Sequence, residues 1–153
     1  MKIRKPTAAD LPPMKLILQD TELFPPDALD QMIQPYLLGD DEQSHWLVCT
    51  TDREEVIGFS FTRLEQFTEG TWNLLAIGFR AAYQGDGLGT RLIEAVEHAL
   101  IDARMLMVET SSLDDFEATR YFYTNRGFTQ EAVIRDYWAT GDDKVIFCKV
   151  LSR

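Results

Sequence analysis

The chain has 153 residues, 45% of them hydrophobic and 11% aromatic, and its formal net charge is −10 with a sequence pI near 4.6. A chain of this length buries about two-thirds of its unfolded surface in one domain, here taken as 1–153, and its apolar content excludes a disordered protein. The negative field repels nucleic acid and anionic membranes and attracts cationic ligands, no apolar run approaches the ~20 residues of a bilayer span, and MKIRKPTAADL lacks a signal-peptide core; a cytoplasmic protein with neither nucleic acid nor membrane as partner is expected.

In chain order, Lys2 to Lys5 alternates weakly and reads as a short strand. Thr7 precedes Asp10, and Leu11, Met14, Ile17 and Leu18 recur at helical spacing, which predicts a capped amphipathic helix to about Asp20 with Pro12 and Pro13 in its first turn. Phe24-Pro25-Pro26 breaks the pattern, and Ala28, Met32, Ile33, Tyr36 and Leu37 predict a second helix ending near Gly39. His45 to Thr50 and Val56 to Leu64 read as strands, joined closely enough at Thr51 to Glu55 for a hairpin, and a third strand is centred on Leu74 to Phe79. Met105 to Thr110 is a buried-type strand whose intervening helix predicts parallel pairing with the third. Asp114 to Asn125 reads as a helix stopped at Gly127, and Phe128 to Trp138 with Lys144 to Leu151 as a closing hairpin across Ala139 to Asp143. Cys49 and Cys148 lie far apart in apolar strand-like runs without metal-ligand spacing, so both read as buried structural thiols and no metal is expected. His45 and His98 read as surface or edge residues.

The stretch Trp72 to Ala99 organises the rest. The strand Leu74 to Phe79 runs into Gln84-Gly85-Asp86-Gly87-Leu88-Gly89, and that turn opens into a helix with Leu88, Leu92, Ala95, Val96 and Ala99 on one face. The first N–H groups of a helix have no intrahelical partner, and glycines let a ligand approach them, so the turn predicts a diphosphate cradle. A nucleotide-binding P-loop is excluded, because no Lys-Ser/Thr pair follows the glycines.

Two motifs in this order resemble the GNAT N-acetyltransferase superfamily. Gln84-Gly85-Asp86-Gly87-Leu88-Gly89 is similar to its Gln/Arg-x-x-Gly-x-Gly/Ala signature, and Phe122-Tyr123-Thr124-Asn125-Arg126-Gly127-Phe128 to its second motif, in which an aromatic-Tyr pair precedes Gly-Phe. The resemblance covers essentially the whole chain. It implies an α/β (α+β) fold, the acyl-CoA N-acyltransferase fold, with a central mixed, mostly antiparallel twisted sheet flanked by about four helices.

The resemblance also implies site residues and an acetyl-CoA co-substrate. Backbone groups at Ile77, Gly78 and Phe79 would pair with the pantetheine arm, and this strand would splay from its successor through a bulge, with which Gly78 is compatible. The diphosphate would lie on Gly85, Asp86, Gly87, Leu88, Gly89 and Thr90, with Gln84 beginning the motif. Phe116 stands near the start of the second motif, where the family often has Asn, as a further donor contact; Gln84 replaces the commoner Arg, and Asp86 puts a carboxylate inside a phosphate turn. Arg80, Arg91 and Arg120 are candidates to offset that charge. Tyr123 matches the general acid for the leaving thiolate, since a phenol pKa of ~10 lies near that of the thiol; Tyr121 is the neighbouring alternative.

An attacking amine must lose a proton, and Glu109, interrupting Met105-Leu106-Met107-Val108, is the candidate base; a solvated strand end, a nearby arginine partner or a water chain are the alternatives. Glu22 and Phe24 on the loop between the first helices, with Asp136 and Tyr137 on the closing strand, are candidates for the acceptor pocket. The expected activity is acetyl transfer to the primary amine of a small molecule by direct attack. The alternatives are acetylation of a protein N-terminus or lysine, and a catalytically silent CoA-binding module. Tyr137, Trp138, Val145, Ile146 and Phe147 serve either internal packing or a homodimer.

Overall fold

The computed structural model describes residues 1–151. It has four α-helices and seven strands, which hydrogen-bond in the order β1-β2-β3-β4-β5-β7-β6. The chain forms two units: residues 1–63 with 75–101, and residues 64–74 with those from Asp102 on. Among the described residues no helix is long and apolar enough to cross a membrane.

In the first unit, β1 (Lys2–Arg4) pairs antiparallel with β2 (Ser44–Thr50), and β2 pairs antiparallel with β3 (Val56–Leu64) across the predicted hairpin. The first helix starts later than its capping pattern implies. The Thr7 N–H donates to Asp10 Oδ2 at 2.7 Å, which winds Ala8–Asp10 into a 3₁₀ turn, and α1 (Leu11–Thr21) is regular only from Leu11. Arg4 clamps the same carboxylate with two bonds of 2.7 and 3.0 Å. Glu22, at φ 56, ends α1 in the left-handed region. A Pro25–Ala28 turn then leads into α2 (Leu29–Leu37), which contains Pro35.

Met14, Ile17 and Leu18 of α1 and Leu29 and Ile33 of α2 recur at three- and four-residue spacing because that stripe is buried. They form a core with Trp46, Val48, Phe59, Phe61 and Ala76, in which Trp46 stacks on Phe61 at 4.1 Å. The helix after the glycine turn, α3 (Leu88–Ala99), buries Leu92, Ile93 and Val96; Ala99, predicted on the apolar face, is exposed, and Leu100 beyond the helix end is buried instead.

In the second unit, the start of β4 (Thr71–Phe79) pairs parallel with β5 (Met105–Ser111), as the crossover helix predicts. The strand begins earlier than the apolar run suggests, because Gly70, at φ 79, accepts the Arg104 N–H at 2.8 Å and fixes the register. After Leu113, a 3₁₀ turn precedes α4 (Glu117–Asn125), and Gly127, at φ 91, ends it. The closing hairpin is β6 (Thr129–Ala139) and β7 (Asp142–Val150), with a turn of only Thr140-Gly141. The turn is tighter than predicted because Gly141 has φ 83 and a bulge at Asp136, φ 55, takes up the slack.

Candidate active site

In the first unit, the last residues of β4 lead through a 3₁₀ turn at Ala81–Tyr83 to the glycine turn. The parallel ladder of β4 with β5 stops at Leu74↔Val108, well before β4 ends at Phe79. Phe79 is buried, and its carbonyl accepts a 3.0 Å bond from Gln84 Nε2. Gln84, the first motif residue, thus ties the turn back to the strand end. Gly58 on β3 is required beneath it, since a Cβ there would collide with the Phe79 ring. Gly78 has its own reason to be glycine: a Cβ would lie 3.0 Å from Leu23 Cδ1 and Thr21 Cγ2, so a side chain here would crowd the end of α1.

Gly85 at φ 85 and Gly87 at φ 76 both occupy the left-handed region, with open space where a side chain would stand. The N-cap of α3 is Gly87, which brings no side chain to cap the helix; Asp86 is exposed beside it, and Leu88, Gly89 and Thr90 are half-buried. Arg80 is not aimed at the turn. Its Nε donates to Asp20 Oδ2 at 2.7 Å, and the Ala81 N–H donates to the same oxygen at 3.0 Å. The Ala81 N–H and the Arg80 guanidinium hold the Asp20 carboxyl below its usual range. Arg120 is likewise engaged, donating to the carbonyls of Ser111 and Leu113 at 2.7 and 2.9 Å. Of the three arginines read as phosphate partners, these two are committed elsewhere.

Glu22 and Phe24 are brought together in an open groove with Leu18, Gln19, Pro25 and Pro26. Phe24 packs edge-on against Phe59 at 6.3 Å, which fixes one wall. Cys49 is buried, and burial pushes its thiol up to about 12, against a smaller opposing effect of Arg91.

In the second unit, Glu109 is neither free nor paired with an arginine. Its Oε2 lies 2.7 Å from Lys144 Nζ, and its Oε1 accepts a 3.1 Å bond from Asn73 Nδ2. Asn73 is 3% exposed and also donates to Glu65 Oε1 at 2.8 Å. Burial alone would lower the Lys144 ammonium, but the hydrogen bond and charge of Glu109, with Tyr137 behind them, outweigh it and hold the group above its ordinary value. The ammonium sits 4.1 Å over the Tyr137 ring. Glu109 and Tyr137, predicted separately, are therefore joined through Lys144.

Tyr123 is buried among Phe122, Phe128 and Phe147, with ring centroids 5.4 to 6.0 Å away. Burial pushes its phenol well above the ordinary value. Tyr121, the alternative acid, is 66% exposed. Phe116 is half-exposed just before α4. Asp136 serves the hairpin: its N–H donates to Asp143 Oδ1 and its Oδ1 accepts from the Gly141 N–H, both at 2.9 Å. Cys148 is only half-buried, less enclosed than its apolar surroundings predict. His45, read as a surface or edge residue, is half-buried with a buried Nδ1 that has no hydrogen-bond partner among the described residues, and burial lowers it.

Sequence reasoning missed Asn73 and Lys144. The one available signal for Asn73 is an amide inside the apolar run Trp72 to Phe79, a residue type that a buried strand tolerates only with partners.

A family model described as an acetyltransferase (GNAT) domain matches residues 42–130. No curated protein matches the sequence significantly. Among solved structures, a protein assigned to the GNAT family from Desulfovibrio desulfuricans superposes with a TM-score of 0.90 at 26% identity, covering 99% of each chain. The ribosomal-protein-S18-alanine N-acetyltransferase of Escherichia coli gives 0.81 at 21% identity, over 99% of this chain and 94% of that one. An aminoglycoside 6'-N-acetyltransferase complexed with coenzyme A gives 0.81 at 15%, over 100% and 98%. The last two likenesses are of fold.

Proposed function

Because the chain belongs to the GNAT acetyltransferase family, whose model matches more than half of it, we propose that it acts as a single-domain, acetyl-CoA-dependent N-acetyltransferase that modifies the primary amine of a small molecule by direct attack. The observation that carries this reading is the glycine turn at the end of β4. Gly85 and Gly87 leave open space above their backbone, and Gly87, the N-cap of α3, brings no side chain to cap it. Backbone N–H donors at a helix start suit a diphosphate.

In this proposal Ile77, Gly78 and Phe79 bind the pantetheine arm through their backbone, and Gln84 through Thr90 hold the diphosphate. Phe116 adds a contact to the donor. The thioester supplies the activated acetyl group. Glu109 takes the proton that the amine must lose, and Tyr123 gives one to the departing thiolate. Burial favours the protonated form of Tyr123. Glu22 and Phe24 on the first unit, and Asp136 and Tyr137 on the second, are the proposed acceptor-binding residues. The two acidic groups in that set, Glu22 and Asp136, favour a cationic or zwitterionic amine.

The test is thiol release from acetyl-CoA with spermidine, glucosamine, phenylethylamine and an alanine-initiated peptide, with products identified by mass. An acetylated small amine is the expected result. Transfer to the peptide alone would move the assignment to protein acetylation, and coenzyme binding without any transfer would leave only a binding module.

A further inference from the structure

We propose that the free edge of β6 is a self-association site, occupied by a second copy of this chain lying antiparallel about Val133, so that Glu131 of each copy faces Arg135 of the other. β6 ends the sheet order, and all of its residues are exposed. Because alternate residues of a strand point to opposite faces, neither face is covered among the described residues. Val133 and Ile134 are 50% and 44% exposed in the middle of the strand. An exposed edge strand with unpaired backbone groups is a template for another strand. The other edge shows the contrast: β1 spans only Lys2–Arg4, begins and ends on a cation, and is followed by Pro6, devices that blunt pairing.

Charge selects the occupant. In the run Glu131-Ala132-Val133-Ile134-Arg135, antiparallel pairing about Val133 sets Glu131 against Arg135 twice and Ala132 against Ile134 twice. Parallel in-register pairing would set Glu131 against Glu131 and Arg135 against Arg135, and like charges directly opposite are destabilising. The strand is thus complementary to its own reverse, the condition for an isologous two-fold contact. The bulges limit its extent. The ladder with β7 shifts between Gln130 and Ala132 and again after Ile134, so the regular window is short, and Glu131, skipped by that register, has no β7 partner opposite it. A contact this small, working against a net charge of −10 per chain, forms a weak, reversible dimer.

Sedimentation velocity on the full chain at physiological ionic strength, from about 1 to about 200 μM, tests this. The mass should rise from 17.5 kDa toward twice that value. Arg135→Glu and Glu131→Arg should each weaken association by about tenfold or more, Val133→Arg should abolish it, and the double variant Glu131→Arg/Arg135→Glu should recover it. These side chains are exposed, so circular dichroism should show every variant folded. A monomer throughout, a dimer indifferent to these substitutions, or a double variant that fails to recover would each overturn the proposal.

Discussion

Lys144 on β7 places its ammonium 2.7 Å from Glu109 Oε2 on β5, with side chains 11% and 19% exposed. The pair is largely withdrawn from water, and Asn73 holds the other carboxylate oxygen. A partner removed from such a pair leaves a charge without compensation. Lys144→Met should therefore lower stability by about 1–2 kcal/mol at neutral pH, less than for a fully buried pair. The pH dependence follows from the raised ammonium. A lysine whose folded value is raised contributes fully below its ordinary value of about 10.4 and loses that contribution as pH climbs through the raised value. Urea unfolding of both proteins from pH 8 to 11 should show the gap narrowing only at the alkaline end. A gap that stays constant would mean that the ion pair is not its source.

Tyr123 carries a prediction of the opposite kind, in rate rather than stability. Removing a general acid typically costs a factor of about 10²–10⁴. Tyr123→Phe should lower kcat into that range and leave the KM for acetyl-CoA nearly unchanged, while Tyr121→Phe, altering an exposed side chain, should change neither. Since burial raises the phenol, the wild-type kcat should show no alkaline decline from loss of this proton up to about pH 10. An unchanged kcat in Tyr123→Phe would remove the residue from its role.

Asp10 governs the acid side. Its carboxyl lies below the usual range, chiefly through the hydrogen bond from Arg4, with Thr7 adding to it against the opposing effect of burial. A lowered carboxylate contributes stability above the ordinary value of about 3.9 and loses it as pH falls through the lowered one. Asp10→Asn, which keeps an acceptor for the Thr7 N–H but removes the charge and one of the two oxygens that Arg4 grips, should cost about 1–2 kcal/mol at pH 7. Unfolding measured from pH 7 down to pH 2 should show the variant and the wild type converging at the acid end.

Periodicity made the elements legible, because each depends on which face is buried: Met14, Ile17 and Leu18 in α1, and the unbroken buried run Trp46 to Thr50 in β2. The glycine turn was legible for a related reason, since only glycine takes positive φ at Gly85 and Gly87 without strain. What escaped depends on contacts between residues distant in sequence. Nothing local announces that Glu109 meets Lys144 and Asn73, or that Arg80 and Arg120 are held by Asp20 and by backbone carbonyls. The hairpin was misjudged because its tightness rests on a positive φ at Asp136, a conformation that an aspartate tolerates but does not signal.

Gly58 offers the sharpest test of how β3 supports the donor end of β4. A methyl group at this position would meet the Phe79 ring, which is buried and has little room to retreat. Overpacking of this kind typically costs about 1–3 kcal/mol. Gly58→Ala should lose that much in urea unfolding. The same collision moves Phe79, whose carbonyl anchors Gln84 at the start of the turn. The variant should therefore raise the KM for acetyl-CoA several-fold while leaving the KM for the amine close to wild type. Trimming the ring should relieve the collision, so Gly58→Ala/Phe79→Leu should regain part of the stability lost by Gly58→Ala alone. An additive loss in the double variant, measured in the same urea series, would show that the two side chains do not compete for this space.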